Sequence, residues 1–189
     1  MIEVACVWAG VVLGLAYAYR HGDAWLGPVL LFAAATLPNT LAHRPMPRLI
    51  MGPDIRQDLK ALIPWPICLL IAACVAGRLL AHAGLVAHQG RPAGVLAWLA
   101  WQSLAVAPSE EWFFRGYVQS LLADRCKRAL AIIGSAALFG VSHLIVQGQF
   151  PALLTFLPGL VLGWLYAQTG TLLAPIVFHC LANLCWVLA

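Results

Sequence analysis

The sequence predicts an all-α protein, a polytopic membrane helical bundle with about seven transmembrane helices. Of its 189 residues, 62% are hydrophobic and 10% are charged, and the mean hydropathy is +0.87. Several apolar stretches approach the ~20 residues that a helix needs to cross a bilayer. These stretches are continuous, whereas the strands of a membrane barrel alternate between apolar and polar residues. We therefore expect one membrane domain over residues 1–189.

Seven apolar segments are the candidate helices. They cover residues 2–19, 24–42, 61–81, 93–122, 129–147, 151–168 and 171–188. The first segment begins with Glu3 instead of basic residues and has no clear small-residue cleavage site, so we interpret it as a retained span and not a signal peptide.

Basic residues predict the orientation of the bundle. The connectors 43–60 and 124–128 carry seven of the eleven Lys and Arg residues. With seven spans both connectors lie on one side, which the positive-inside rule makes cytoplasmic. We therefore expect an integral protein, most simply of a bacterial cytoplasmic membrane. Because the basic residues lie between spans, no nucleic-acid partner is expected.

The fourth segment is too long for one upright crossing and contains a proline. Pro108 cannot donate a backbone hydrogen bond and leaves the carbonyl of Leu104 free. Such a break needs protein or a water-filled cavity to satisfy the backbone. We expect Pro108 to divide the helix and water to lie near the acidic pair that follows; if a new helix begins at Ser109, that pair lies in its first turn, where the helix dipole favours anions.

That acidic pair is the strongest functional signal in the chain. An ionisable residue at bilayer depth costs ~2.5–3.5 kcal/mol on insertion scales and marks a functional site by default. Glu111 and Arg115 are spaced i,i+4 and should form a pair on one helix face. Glu110 lies ~100° away around the helix. It has no counter-ion nearby in sequence and remains available to take a proton.

Two histidines lie in later apolar segments at helical spacing from a second side chain. His143 follows Phe139 by four residues, and Asn183 follows His179 by four. At ~1.5 Å per residue from the cytoplasmic connectors, Glu110 and His143 lie ~20 Å deep, His179 ~12 Å and Asn183 ~18 Å. All of them can therefore share one cavity near mid-membrane.

Several alternatives fit the same residues. A zinc site could use a Glu and the two His, although the sequence has no HExxH motif and no thiolate cluster. A non-catalytic immunity or scaffold protein could keep a satisfied polar core. A small transporter could use Glu110 as a proton carrier, although no inverted repeat is evident. The six cysteines include no CxxC pair, so no disulfide is predicted.

Three motifs in consecutive order carry a resemblance to a known family. They read EEWFFR at 110–115, FGVSH at 139–143 and HCLAN at 179–183, which fit EExxxR, FxxxH and HxxxN. The chain thus resembles the CAAX-protease and bacteriocin-processing (CPBP or ABI) family of glutamate-type intramembrane proteases. The resemblance covers residues 93–188, the expected catalytic core spans; residues 1–92 match only as hydrophobic helices.

The resemblance implies glutamate-dependent peptide hydrolysis without a cofactor. Glu110 would be the general base for a water that His143 helps to hold. His179 and Asn183 would stabilise the tetrahedral oxyanion. Two further residues would support the site, Glu111 and Arg115. An older view of the family as metalloproteases keeps the zinc alternative open.

The substrate is the least defined part of the prediction. The eukaryotic branch of the family cleaves after a prenylated cysteine. The short chain, rich in Ala, Leu and Trp, looks bacterial. Some bacterial branches resemble processing enzymes for C-terminal sorting tails, and others confer immunity to bacteriocins. We expect a membrane-protein or lipid-anchored peptide substrate within the bilayer; the sequence makes no prediction of oligomeric state.

Overall fold

The structure is a computed structural model, and it describes residues 1–49, 56, 60–61, 65–82 and 94–188. Every regular element in these ranges is helical, which confirms the all-α prediction. The described helices are α1 (Ile2–His21), α2 (Leu26–Leu41), α3 (Trp65–His82), α4 (95–123), α5 (Arg128–Gln147), α6 (Phe156–Thr169) and α7 (Leu173–Leu188). A 3-10 helix, Phe150–Thr155, precedes α6. Half of the connector 43–60, residues 50–55 and 57–59, lies outside the described residues.

Three helical segments of the described residues are long and apolar enough to cross a membrane. They are Ile2–His21, Arg128–Gln147 and Phe150–Thr169. Shorter apolar helices accompany them at Leu26–Leu41, Trp65–Val75 and Leu173–Cys185. These helices support an integral membrane protein, while seven crossings remain a prediction.

The predicted break at Pro108 is wrong, because α4 stays helical through it. The turn before the proline, Gln102–Val106, is π-helical, and so is Trp112–Gln119 beyond the acidic pair. A π-helical turn shifts the hydrogen-bond register by one residue and so takes up a missing donor without ending the helix. The hydroxyl of Ser109 also donates to the carbonyl of Val106 at 2.9 Å. The acidic pair therefore lies inside a continuous, irregular helix.

A polar cluster fixes the ends of α1 and α2 against α4. Both guanidinium nitrogens of Arg44 donate to the carboxylate of Glu3, at 2.6 and 2.8 Å. The Tyr117 hydroxyl donates to the same carboxylate at 3.0 Å. The hydrogen bonds that Arg44 donates to Glu3 raise the pKa of Arg44, and the charge of Asp124 contributes at longer range. Both basic connectors therefore reach one end of the bundle, and the α1–α2 connection lies at the opposite end.

Glycines in α6 let it pack closely on α4 and α5. A side chain at Gly159 would meet the Cα of Ala136 at 3.3 Å. The carbonyl of Gly163 accepts a hydrogen bond of 2.8 Å from the Gln119 amide. This close approach makes backbone carbonyls of α6 available to polar side chains of α4.

The expectation of no disulfide is wrong in one place. Cys74 of α3 and Cys185 of α7 form a disulfide across 111 residues of sequence. No spacing motif marks such a pair, because it depends on which faces of two distant helices meet. The disulfide attaches α3 to the helix that carries His179 and Asn183.

Candidate active site

The predicted contact between Glu111 and Arg115 is present and fully buried. Arg115 Nη1 lies 3.1 Å from Glu111 Oε1, and both side chains have 0% exposure. Arg115 Nη2 donates to the carbonyl of Gly159 at 3.1 Å. Its guanidinium also lies over the ring of Phe139, 4.7 Å from the centroid. The planar guanidinium therefore joins α4, α5 and α6 around the site.

His179 lies between the two adjacent glutamates. Its Nδ1 is 2.7 Å from Glu111 Oε1, and its Nε2 is 3.5 Å from Glu110 Oε2. An ionised carboxylate can only accept, so Nδ1 carries the proton of the shorter contact. Glu111 thereby fixes the orientation of the ring, and Nε2 is directed to Glu110.

Glu110 differs from its neighbour in both exposure and partners. Its side chain is 16% exposed, whereas that of Glu111 is 0% exposed. Within the described residues, the Oε2 atom of each glutamate is buried without a hydrogen-bond partner, and Glu110 Oε2 makes the 3.5 Å contact with His179 Nε2. The two carboxylates therefore differ in exposure and in their contacts: Glu111 is enclosed by Arg115 and His179, and Glu110 is partly exposed.

His143 shares a cavity of about 250 Å³ with Glu110. Its Nδ1 lies 3.0 Å from the carbonyl of Phe139. Because a carbonyl can only accept, Nδ1 is the protonated nitrogen, and Nε2 of the neutral ring is left as an acceptor. Among the other residues that line the cavity are Leu15, Tyr19, Asp23, Trp101 and Ser142. Walls of the cavity therefore come from α1 and α2 as well as from α4 and α5.

Asn183 lies outside the lining of this cavity. Its Nδ2 donates to Gln102 Oε1 at 2.9 Å, one turn along α7 from His179. Glu110 and His143 thus line the same cavity. His179 contacts Glu110 but is not itself part of the lining. Asn183 contacts Gln102 in the π-helical turn of α4. Counting the rise per residue predicts depth but not the direction in which a side chain points, and this is where the one-cavity expectation fails.

Two hydrogen bonds between helices support the site, and sequence reasoning identifies the partners of neither. Gln102 holds the Asn183 amide, and Trp8 donates through Nε1 to Ser142 Oγ at 2.9 Å, next to His143. Polar residues in an apolar span are a general signal for Gln102 and Ser142. Trp8 carries no signal of its own, since tryptophan is common in apolar spans.

A zinc site is one of the alternatives that the sequence leaves open. In the part of the chain that the structure describes, no group of three or more His, Cys, Asp or Glu side chains is arranged to hold a metal ion.

Comparison with known proteins identifies the half of the chain that carries these residues. No curated protein and no solved structure matches the chain. Residues 92–185 match the sequence model of a family described as type II CAAX prenyl endopeptidase, Rce1-like. That range includes all three motifs, from Glu110 to Asn183. The chain therefore belongs, through residues 92–185, to the Rce1-like family of type II CAAX prenyl endopeptidases.

Proposed function

We propose that the protein is a glutamate-dependent intramembrane endopeptidase that cleaves a membrane-associated protein near its C-terminal tail. One observation carries the proposal: two adjacent glutamates have opposite environments. Glu111 is fully buried between Arg115 and His179, while Glu110 is partly exposed and lines a cavity that His143 also lines. A polar core with a purely structural role would need a buried glutamate like Glu111, but it would not need a second glutamate at a cavity.

Water activation follows from the acceptors that line the cavity. Glu110 Oε2 and His143 Nε2 would each accept one hydrogen of a water molecule, which directs the water oxygen to a substrate carbonyl. As that oxygen bonds to the carbonyl carbon, its proton passes to Glu110. A positioned general base of this kind contributes typically ~10²–10⁴-fold to the rate.

The developing oxyanion needs donors, and α7 can supply them. Glu110, Glu111 and Arg115 together carry one net negative charge, which a protonated His179 would balance. In that form Nε2 of His179 is a donor beside the reacting carbonyl. The second amide hydrogen of Asn183 is not used by Gln102 and would be the other donor. Donors held in a low-dielectric site can contribute several kcal/mol to the transition state.

Collapse of the tetrahedral intermediate completes the reaction. The bond from carbon to the amide nitrogen breaks, and Glu110 returns its proton to the leaving amine. The products are a new carboxylate and a new amine, so water is the single co-reactant. Glu111 and Arg115 take no part in these transfers and hold His179 and α4 in place.

A compact protein embedded in the bilayer suits a substrate that lies in the bilayer as well. We propose C-terminal sorting tails of bacterial proteins as the substrate class, each with a short motif, a hydrophobic helix and a basic end. The bacterial cytoplasmic membrane is the proposed location. The family description names prenyl endopeptidases, so prenylated C-terminal peptides are the comparison substrates.

The test uses the purified protein in phosphatidylcholine nanodiscs with reporter proteins that end in either kind of tail. Mass spectrometry of the products locates the cleaved bond. Cleavage that persists in a chelator and disappears in folded Glu110→Gln supports the proposal. Loss of cleavage on chelation, restored by zinc, would establish the metalloprotease alternative. Intact reporters with both kinds of tail would favour a non-catalytic immunity or scaffold protein.

A further inference from the structure

One wall of the active-site cavity is built by residues outside the family match. Leu15, Tyr19 and Asp23 line it from α1 and the α1–α2 connection. Residues 92–185 carry the family signature, so the chemistry and this wall come from different parts of the chain. The wall is therefore a place where substrate selection can differ without any change in the catalytic residues.

The cavity is electrostatically one-sided. Its described lining includes two carboxylates, Asp23 and Glu110, and no lysine or arginine. Most of the remaining lining is apolar. A cavity of this kind favours a substrate that carries a positive charge and disfavours one with a negative charge.

Backbone hydrogen bonds fix the main chain of Asp23, and its side-chain carboxylate is available to bind a substrate group. Its backbone N–H donates to Ala18 at 2.9 Å, and its carbonyl accepts from Leu26 at 3.0 Å. Gly22 permits this turn with φ of +77°. The half-buried carboxylate accepts no hydrogen bond from the residues that the structure describes. An anchored acceptor without a partner is suited to bind a cation of the substrate.

We propose that Asp23 is a specificity-determining residue that binds a lysine or arginine side chain of the substrate in the part of the cavity lined by the α1–α2 connection. The proposal rests on the peptidase function proposed above for the position of the scissile bond. Asp23 itself takes no part in bond cleavage. Its effect is on substrate binding and on the choice among peptides.

Binding and cleavage are measured separately to test this assignment. The binding arm uses Glu110→Gln protein in phosphatidylcholine nanodiscs, so that no peptide is consumed and the lipid carries no net charge. The probes are fluorescein-labelled peptides with an Ala-Leu tail that differ at one position, with Lys, Gln or Glu. That position is moved from the second to the sixth residue from the start of the tail. Asp23→Asn and Asp23→Lys are compared with Asp124→Lys, which makes the same charge change at the opposite end of the bundle.

The expected order of affinity is Lys, then Gln, then Glu, with about tenfold between Lys and Glu at the best position. Asp23→Asn should remove that preference, Asp23→Lys should reverse it, and Asp124→Lys should leave it in place. Equal affinity for all three peptides, no measurable binding of any of them, or an order that survives Asp23→Lys would overturn the assignment. Selective binding without hydrolysis by the unmutated protein would retain the assignment and contradict the peptidase function.

Discussion

His179 Nδ1 and Glu111 Oε1 are 2.7 Å apart, although 68 residues separate them in sequence. The contact crosses from α7 to α4 and joins the last of the three motifs to the first. Because Glu111 also holds Arg115, a single buried carboxylate orients both the histidine and the guanidinium. The neighbouring Glu110 is therefore not needed to orient either side chain.

Replacing Arg115 with lysine should destabilise the protein although the charge is kept. The guanidinium reaches Glu111 and the carbonyl of Gly159 at once and covers the ring of Phe139. A lysine ammonium cannot reproduce that planar arrangement. We expect Arg115→Lys to lower the free energy of unfolding by about 1–3 kcal/mol, the cost of an unsatisfied buried polar group. Titration with dodecyl sulfate measures this free energy of unfolding. An unchanged unfolding midpoint would show that the contacts of the guanidinium do not stabilise the protein.

A matched pair of glycine substitutions tests the close packing of α6. A Cβ at Gly163 would lie 2.8 Å from Gln119 Oε1 and 3.1 Å from Ile132, whereas a Cβ at Gly10 has nothing within 4 Å. Overpacking typically costs about 1–3 kcal/mol. Gly163→Ala should therefore lower the thermal midpoint while Gly10→Ala should not. Equal midpoints for both variants would contradict this packing.

The sequence predicts contacts within one helix well and contacts between helices poorly. The Glu111–Arg115 pair follows from a spacing of four residues and a shared face. The His179–Glu111 and Cys74–Cys185 contacts depend on how α7 is rotated against α4 and α3, which hydropathy does not encode. Hydropathy also gave the helix ends within a few residues, because apolar segments end where polar connectors begin.

Removing the acceptor that holds Asn183 should slow turnover without unfolding the protein. Gln102 accepts from Asn183 Nδ2 at 2.9 Å, and in Gln102→Leu that amide is free to rotate. We expect kcat to fall about tenfold with KM little changed, the sign of lost transition-state positioning. Gln102→Glu keeps an acceptor and should restore most of kcat. A parallel loss of kcat in both variants would contradict a positioning role.

The polar cluster of Glu3, Arg44 and Tyr117 lies at the start of α1. It predicts an effect on stability at a distance from the candidate active site. Tyr117 is fully buried and donates to the Glu3 carboxylate at 3.0 Å. Hydrogen bonds to charged groups contribute about 1.5–3 kcal/mol. Tyr117→Phe should lower the free energy of unfolding by up to this amount, and Tyr17→Phe, at an exposed position, should not. If both variants unfold like the parent protein, the cluster does not fasten α1 to α4.

The opposite roles of two adjacent glutamates are tested most directly by measuring turnover and thermal unfolding together for Glu110→Gln and Glu111→Gln. Glu110→Gln should unfold like the parent protein and lose ~10²–10⁴-fold in kcat, because only the general base is removed. Glu111→Gln leaves Arg115 buried without its counter-ion, which costs about 3–5 kcal/mol and should lower the midpoint by roughly ten degrees. Full activity in Glu110→Gln, or equal destabilisation of both variants, would contradict the account.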